Sequence, residues 1–423
     1  MPNLISKIES NGSLSRSDAM KIIQSGLQAA KPDLYISKYV SKNSLTCGNR
    51  NFDAKNYGKI WVIAVGKAAD SMARAFCKLI PASGGIVVIP KNHTTVFTNK
   101  KFQIIKAGHP VPDKNSILAS GKIIQLLKNA CQNDLVVFLI SGGTSSLICK
   151  PAGITLNQKV KTTQILLESG ASILEMNAIR KHLSEVKGGK ILENLRCTAI
   201  SYVMSDVVND DLGSIGSGLA YCDKTTFSDC LGIIAKYDLQ KKLPRSVVVQ
   251  LRKGTQGKIT ETPKKPKIPN QIIANNSDCL DIMAKTAKKL GYCVLVYKKL
   301  TGDVKLAANK ILKSSNSKNC IIFGGETTVR VTGKGKGGRN QELVLHMIPK
   351  LSGKIVASIG TDGIDGNTKH AGAIFSGTMN YDTIKPYLQN NDSNSFFAKY
   401  GGLIKTGPTH TNLLDIGVML EHL

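Results

Sequence analysis

The sequence predicts an α/β protein of two domains, each built on its own sheet. Short, almost wholly apolar runs such as Ile60–Val65 (IWVIAV) and Leu135–Ile140 (LVVFLI) alternate with amphipathic stretches of helical period. That rhythm belongs to a doubly wound parallel sheet buried on both faces. At 423 residues the chain also exceeds what one hydrophobic core organises. The stretch from Lys253 to Asn270, KGTQGKITETPKKPKIPN, is rich in Pro, Gly and Lys and reads as an exposed linker. An N-terminal Rossmann-like domain is therefore expected over residues 1–260 and a smaller α/β domain over 261–423, with the boundary near 253–270.

The elements follow in order. The opening residues to about Leu27 read as helical, with Ile5, Ile8, Met20, Ile23 and Leu27 at amphipathic spacing. The strand Ile60–Val65 runs into Gly66-Lys67 and a helix from Ala68 to Leu79. Strands follow at Ile86–Ile89 and Phe102–Ile105, then a helix from Ser116 to Lys128 and the most strongly apolar strand, Leu135–Ile140. Helices over Gln158–Glu168 and Ile173–Lys187 precede a strand at Ala199–Met204. Past the linker come a helix at Ser277–Leu290 and strands at Cys293–Tyr297 and Cys320–Phe323. An acidic Gly-Gly turn at Gly324-Gly325-Glu326, an alternating strand Thr327–Val331, a glycine-rich basic loop and a strand Ile355–Ile359 complete the reading.

Composition narrows the function. The chain carries 57 Lys and Arg against 29 Asp and Glu, a net charge of +28, which suits an anionic partner. Lysine is dispersed, however, with one dense run at Lys264, Lys265 and Lys267 among prolines. Aromatics at 5% provide no interleaving for stacked bases, so no specific nucleic acid is expected as a partner. No apolar run reaches membrane-spanning length, and the start, MPNLISKIES, has an acidic residue and no long apolar core. A cytoplasmic protein without membrane attachment is expected. The scattered cysteines form no C-x-x-C pair and read as reduced and mostly buried.

Ligands of doubly wound sheets sit beyond the carboxyl ends of the strands, and several unusual clusters fall there. Lys67 stands at the end of a buried strand, where it can reach a phosphate. Ser141-Gly142-Gly143 follows the most apolar strand, and its N–H groups and hydroxyls suit a carboxylate or phosphate. Asp206 and Asp362 lie in acidic turns after strands and could hold Mg²⁺. Arg180, on a helix, could clamp a carboxylate. In the basic loop, Gly333, Gly335, Gly337 and Gly338 let backbone approach a ligand, with Lys334, Lys336 and Arg339 beside them and the helix from Asn340 offering N–H groups. Gly333-x-Gly335-x-x-Gly338 matches the dinucleotide fingerprint only formally, because no acid ends a strand about twenty residues on. No G-x-x-x-x-G-K-[ST] occurs. The pattern fits phosphoryl transfer without an ordinary P-loop.

At this point the motifs carry a family resemblance. VGKAADSM from Val65, AGHPVPD from Ala107, SGGTSSL from Ser141, GASILEMNAIRKHLSEVKGGK from Gly170, SDVVNDDL from Ser205, GGETTV from Gly324, GKGGRNQEL from Gly335, GTDGIDG from Gly360 and TGPTHTNLLD from Thr406 run in one order along nearly the whole chain. Together they resemble the glycerate 2-kinases with a C-terminal MOFRL domain. The resemblance implies ATP- and Mg²⁺-dependent phosphorylation of D-glycerate to 2-phosphoglycerate in a cleft between the domains, with a MOFRL-type C-terminal domain. It makes Lys67 and Arg339 the essential basic residues, with Asp206 or Asp362 holding magnesium or orienting the attacking hydroxyl.

On this reading Ser141, Gly142, Gly143, Arg180 and His410 contact the acceptor. Gly335, Gly337, Gly338, Glu326 and Asn340 serve the nucleotide, Glu326 by fixing the basic loop. A monomer or homodimer is expected. The chain departs from the family's usual Gly-Gly-Gly-Ser-Ala at Gly142-Gly143-Thr144-Ser145-Ser146, from Ser-Gly-Pro-Thr at Ser217-Gly218-Leu219-Ala220, and from Thr-Gly-Thr-Asn at Thr409-His410-Thr411-Asn412. Bulk at Thr144 and His410 is expected to reshape the acceptor pocket, which leaves a kinase for a related hydroxy acid as one alternative. An NAD(P)-dependent hydroxypyruvate reductase is another, and a nucleic-acid-binding protein a less favoured third.

Overall fold

The computed structural model describes residues 14–314 and 319–421, so Ile5 and Ile8 of the expected first helix lie outside the described residues. The chain divides into two compact units, one of residues 32–273 and one that joins residues 14–31 to residues 274–421. The division thus falls just past the 253–270 segment. The opening helix, Leu14–Ala29, groups with the C-terminal unit because its apolar face (Ala19, Ile22, Ile23) is buried there. A Cβ at Gly26 would lie 2.6 Å from Met283 Sδ, and Thr411 Oγ1 donates to Ala30 O at 2.6 Å.

In the first unit a hairpin of β1 (Ser44–Cys47) and β2 (Arg50–Asp53) precedes a six-stranded sheet. Its strands are β3 (Ile60–Val65), β4 (Gly84–Pro90), β5 (Phe102–Ala107), β6 (Leu135–Ile140), β7 (Thr198–Met204) and β8 (Asn270–Ala274), in the order β5-β4-β3-β6-β7-β8. The pairings from β5 through β7 are parallel, and β6 is buried along its whole length. Chain order reverses between β3 and β6, which makes the ends of those two strands the topological switch point.

Flanking helices begin where side chains satisfy their first amides. Capping boxes at Asp113/Ser116, Thr155/Gln158, Ser172/Glu175 and Thr226/Asp229 do this, each contributing about 1 kcal/mol. The helix expected over Ile173–Lys187 spans Ile173–His182. Beyond it the chain turns through Gly188 and Gly189, both at positive φ, and Lys159 Nζ satisfies the carbonyls of Arg180 and Leu183 in place of helical amides.

The second unit holds a mixed sheet of β9 (Val294–Asp303), β10 (Cys320–Thr328), β11 (Lys354–Gly360), β12 (Gly372–Ser376), β13 (Leu403–Ile404) and β14 (Asp415–Glu421), in the order β13-β12-β11-β14-β10-β9. Only β9 and β10 pair in parallel; β14, which the sequence reading passes over, lies antiparallel between β10 and β11. Gly324-Gly325-Glu326 is strand and not turn. β10 continues through it to Thr328 across a register shift between Phe323 and Gly325, so the expected strand Thr327–Val331 is only its tail. Gly325 has φ 148°, and a Cβ there would meet Leu300 O at 2.2 Å.

The ten cysteines are free thiols, with Cys131 and Cys293 exposed and the others buried or half-buried. Among the described residues no helix is long and apolar enough to cross a membrane.

Candidate functional site

At the switch point of the first unit the turns after β3 and β6 are locked together. Lys67 N donates to Gly142 O (2.8 Å), Ser141 N to Val65 O (3.0 Å) and Ala68 N to Ser141 Oγ (3.0 Å). The amides of Gly142 and Gly143 take no acceptor among the described residues. Gly143, at φ 87°, leaves room for two neighbours: a Cβ would come within 3.1 Å of His109 Nε2 and 3.4 Å of the Lys67 stem. Open backbone amides, a half-buried lysine and an imidazole therefore share one mouth. His109 is a residue the sequence reading left unassigned, although it stands in the Ala107–Asp113 motif.

Below that mouth the surroundings are cationic. Ser145 Oγ lies 2.8 Å from Ser217 Oγ, which reaches Asn177 Oδ1 at 3.2 Å, and Lys187 Nζ donates to Ser145 O at 2.6 Å. Burial, with Lys159 and Arg180 nearby, holds Lys187 well below the ordinary lysine range. The half-buried Arg180 guanidinium forms no ion pair among the described residues, and burial draws its pKa down. Cations buried without carboxylates favour an anion in their vicinity.

Asp206 is half-buried at the end of β7, the strand beside β6. Asp211 instead builds its own turn, accepting from Gly213 N and Ser214 Oγ. Thr144, expected to crowd the acceptor, turns inward: it is fully buried, and its Oγ1 lies within hydrogen-bond distance of Val65 O (2.9 Å) and Ser141 O (2.7 Å). Leu219 and Ala220 are core residues rather than ligand-loop residues.

In the second unit the end of β10, the end of β11 and the start of β14 meet, since Gly325 and Gly360 both pair with Asp415. Arg339 opens the helix Arg339–Met347 between them. Its Nε and Nη2 donate to Asp415 Oδ2 and Oδ1 (2.6 and 3.1 Å), and its Nη1 donates to Glu326 Oε1 (2.6 Å). Burial works against the guanidinium charge, but the two carboxylates outweigh it and raise the pKa. Asp362 lies close by, because a Cβ at Gly360 would be 3.1 Å from Asp362 Oδ1 and 3.6 Å from Asp415 Oδ1.

His410 follows in the neighbouring loop at φ 56°, and Thr409 N there donates to Asp362 O. Beside Asp415 a cavity of about 10 Å³, lined in part by Thr327, Asn340 and Ser358, has room for a water-sized group.

The glycine-rich loop is not the open phosphate cradle that its composition suggests. Thr332 N and Gly333 N donate to Asn391 Oδ1, Lys334 N to Asn390 Oδ1, Gly335 N to Asn390 O, Lys336 N to Asp392 Oδ1 and Gly337 N to Asn367 Oδ1. The helix start is capped too, with Asn340 N and Gln341 N donating to the two oxygens of Asp365. Gly335, Gly337 and Gly338 serve close packing: Cβ atoms there would fall within 2.4 Å of Asp392, Ser393 and Asp365 respectively. Asn340 is buried and engages Asp365 and Ser358. The Lys334 and Lys336 side chains remain exposed.

Burial pushes the Asp365 carboxyl up to about 6, against the amides that donate to it. Its folded pKa lies above the unfolded value, so the native state holds the proton where the unfolded chain has lost it, and stability falls as pH rises from about 4 to 6. At about 1.4 kcal/mol per unit the effect approaches about 3 kcal/mol. Urea unfolding followed by circular dichroism at pH 4.5, 5.5 and 7 is expected to show that Asp365→Asn lacks this component of the pH slope. An unchanged slope in the variant would contradict the assignment.

A doubly wound unit with open amides and a half-buried lysine at its switch point, carried in one chain with a mixed-sheet unit that presents a carboxylate-held arginine, defines a two-unit α/β protein. Residues 18–252 match the model of a domain described as of unknown function (DUF4147), and residues 319–415 match the MOFRL family. The chain is 36% identical to the glycerate 2-kinase of Pyrococcus horikoshii, covering 96% of this chain and 97% of that protein. It is 37% identical to an Agrobacterium vitis protein provisionally named a hydroxypyruvate reductase, covering 88% and 89%. The crystal structure of a glycerate kinase from Thermotoga maritima superposes with a TM-score of 0.80 at 34% identity, covering 96% of this chain and 99% of that one. The chain belongs to the DUF4147 and MOFRL family of which these glycerate kinases are members.

Among the described residues no group of three or more His, Cys, Asp or Glu side chains is disposed to hold a metal. Asp206 and Asp362 each offer carboxylate oxygens, the donor type that suits Mg²⁺ taken mainly through substrate phosphates.

Proposed function

We propose that this chain is an ATP-dependent kinase that phosphorylates D-glycerate to 2-phosphoglycerate. The reading rests on the open amides of Gly142 and Gly143 beside Lys67, at the switch point of a chain related along its length to glycerate 2-kinases. The Ser141 turn, with Arg180 behind it, receives the glycerate carboxylate. Lys67 stabilises charge on the transferring phosphoryl group, and Arg339, oriented by Glu326, is the second basic group on which the transfer depends. Magnesium, held by the nucleotide and one carboxylate of Asp206 or Asp362, would offset phosphate charge. His410 borders the acceptor. Gly335, Gly337, Gly338 and Asn340 support the nucleotide by shaping the loop that carries Arg339, the amides of Gly335, Gly337 and Asn340 being already engaged. Substrates of this kind fit a cytoplasmic enzyme.

A phosphorylation assay across small hydroxy acids, with product position read by ³¹P and ¹H NMR, tests the reading. D-Glycerate is expected to give 2-phosphoglycerate with one ADP released per product. ATP turnover with none of the acids would overturn the proposal. The Agrobacterium relative favours a second reading, reduction of hydroxypyruvate, and incubation with hydroxypyruvate and NADH or NADPH checks it. The kinase reading expects no loss of nicotinamide absorbance, in keeping with a fingerprint loop whose amides from Gly333 to Gly337 are already engaged.

A further inference from the structure

Arg339 is surrounded by more negative charge than it carries. Asp415 and Glu326 both bind it. The arginine therefore brings no surplus positive charge to this edge of the sheet. Its directional capacity remains: a guanidinium has five N–H donors, three are taken here, and the two left sit one on each terminal nitrogen.

The two carboxylates are not equivalent. Asp415 grips Nε and Nη2 together and has a side chain only 11% exposed, while Glu326 touches one nitrogen and is 44% exposed. The backbone of Asp415 is also fixed on both sides, because it pairs with Gly325 of β10 and Gly360 of β11. An arginine otherwise samples many rotamers, and a bidentate pair from a rigid strand removes much of that freedom.

We infer that Asp415 is a positioning residue for phosphoryl transfer, holding the Arg339 fork so that its two remaining N–H groups face the reacting phosphate. The inference rests on the kinase reading and adds to it a group outside the set to which sequence reasoning gave roles. It also assigns Arg339 a geometric part in place of an electrostatic one. Lysine, a point charge without a fork, cannot reproduce that part.

The test uses the full chain with ATP and D-glycerate. Asp415→Asn, nearly isosteric, offers one acceptor oxygen and an N–H₂ that opposes the guanidinium. It is expected to lower kcat about 10²-fold while KM for both substrates stays within about threefold, the signature of an interaction realised in the transition state. Glu326→Gln is expected to cost less than about tenfold. Millimolar guanidinium is expected to restore activity to Arg339→Ala but not to Arg339→Ala/Asp415→Asn. Wild-type kcat in Asp415→Asn, or equal guanidinium rescue with and without Asp415, would overturn the inference.

Arg339→Lys keeps Asp415 intact and so decides the matter even if Asp415→Asn fails to fold. Activity as low as Arg339→Ala supports positioning, and recovery to near wild type refutes it. A wild-type protein that does not phosphorylate glycerate would instead remove the kinase reading beneath both.

Discussion

Lys67→Ala is expected to lower kcat for glycerate phosphorylation by about 10²-fold to 10³-fold with KM for ATP and glycerate little changed. Lys67 follows β3 directly, its amide is tied to Gly142 O, and its stem runs past Gly143. The backbone therefore has little freedom to bring another cation to the same place. A charge that acts on the transferring phosphoryl group lowers the barrier without tightening the ground state, so its loss appears in kcat. Removing one preorganised donor of this kind costs roughly 3–4 kcal/mol. Lys67→Met, which keeps most of the stem, is expected to match the alanine variant, whereas a contribution from packing alone would leave the methionine enzyme active. Steady-state rates with ATP and D-glycerate on the three proteins decide between them.

Gly66→Ala is expected to destabilise the first unit by more than about 3 kcal/mol. Gly66 has φ 131°, and a Cβ there would lie 2.1 Å from Ser141 Oγ and 2.6 Å from Ser141 O. The second of these atoms is backbone at the end of a central strand and cannot rotate away. The turns after β3 and β6 would have to part, breaking the bonds from Lys67 N to Gly142 O and from Ala68 N to Ser141 Oγ. Strain at a special backbone position combined with broken buried hydrogen bonds belongs to the severe class of substitutions.

Trp61 is the one tryptophan in the chain, and its indole N–H donates to Asp134 Oδ2 within this unit, so fluorescence during urea unfolding reads the unit directly. Gly232→Ala in the helix Phe227–Lys236, with open space around the added methyl, serves as the control. It is expected to stabilise by about 0.5–1 kcal/mol. A Gly66→Ala midpoint equal to wild type would refute the steric argument.

The first unit was well marked in the sequence because its signals are local. Apolar runs bounded by small residues place β3 and β6, and the residues that follow each run, Gly66-Lys67 and Ser141-Gly142-Gly143, are the ones found at the switch point. Arg339 and Glu326 were legible through the motif that contains them. The two form an ion pair. His109 carried a weaker signal: its motif stood out, but nothing local indicates that it reaches Gly143. Asp415 was legible only as the last residue of a motif, since the place of β14 between β10 and β11 depends on strands distant in sequence.

The glycine-rich loop shows the limit most clearly. Glycines with lysines between them state that backbone approaches something closely, and the sequence cannot say whether that something is a ligand or the protein itself. Here it is the protein. Asn390, Asn391 and Asp392, more than fifty residues onward, take the amides from Thr332 to Lys336, and Asp365 caps the helix that follows. Thr144 gives the same lesson in reverse, since a hydroxyl beside two glycines looked ligand-facing and is turned into the sheet by the carbonyl of Val65. By itself the sequence determined the strands β3 to β7 and the helices that follow β3 and β5, the small-residue turns after β3 and β6, and which family's motifs the chain carries, because periodicity and turn chemistry act over a few residues. Only the tertiary structure decided which amides remain open, which acid holds Arg339 and where the opening helix belongs, because each depends on a partner that folding brings from far along the chain.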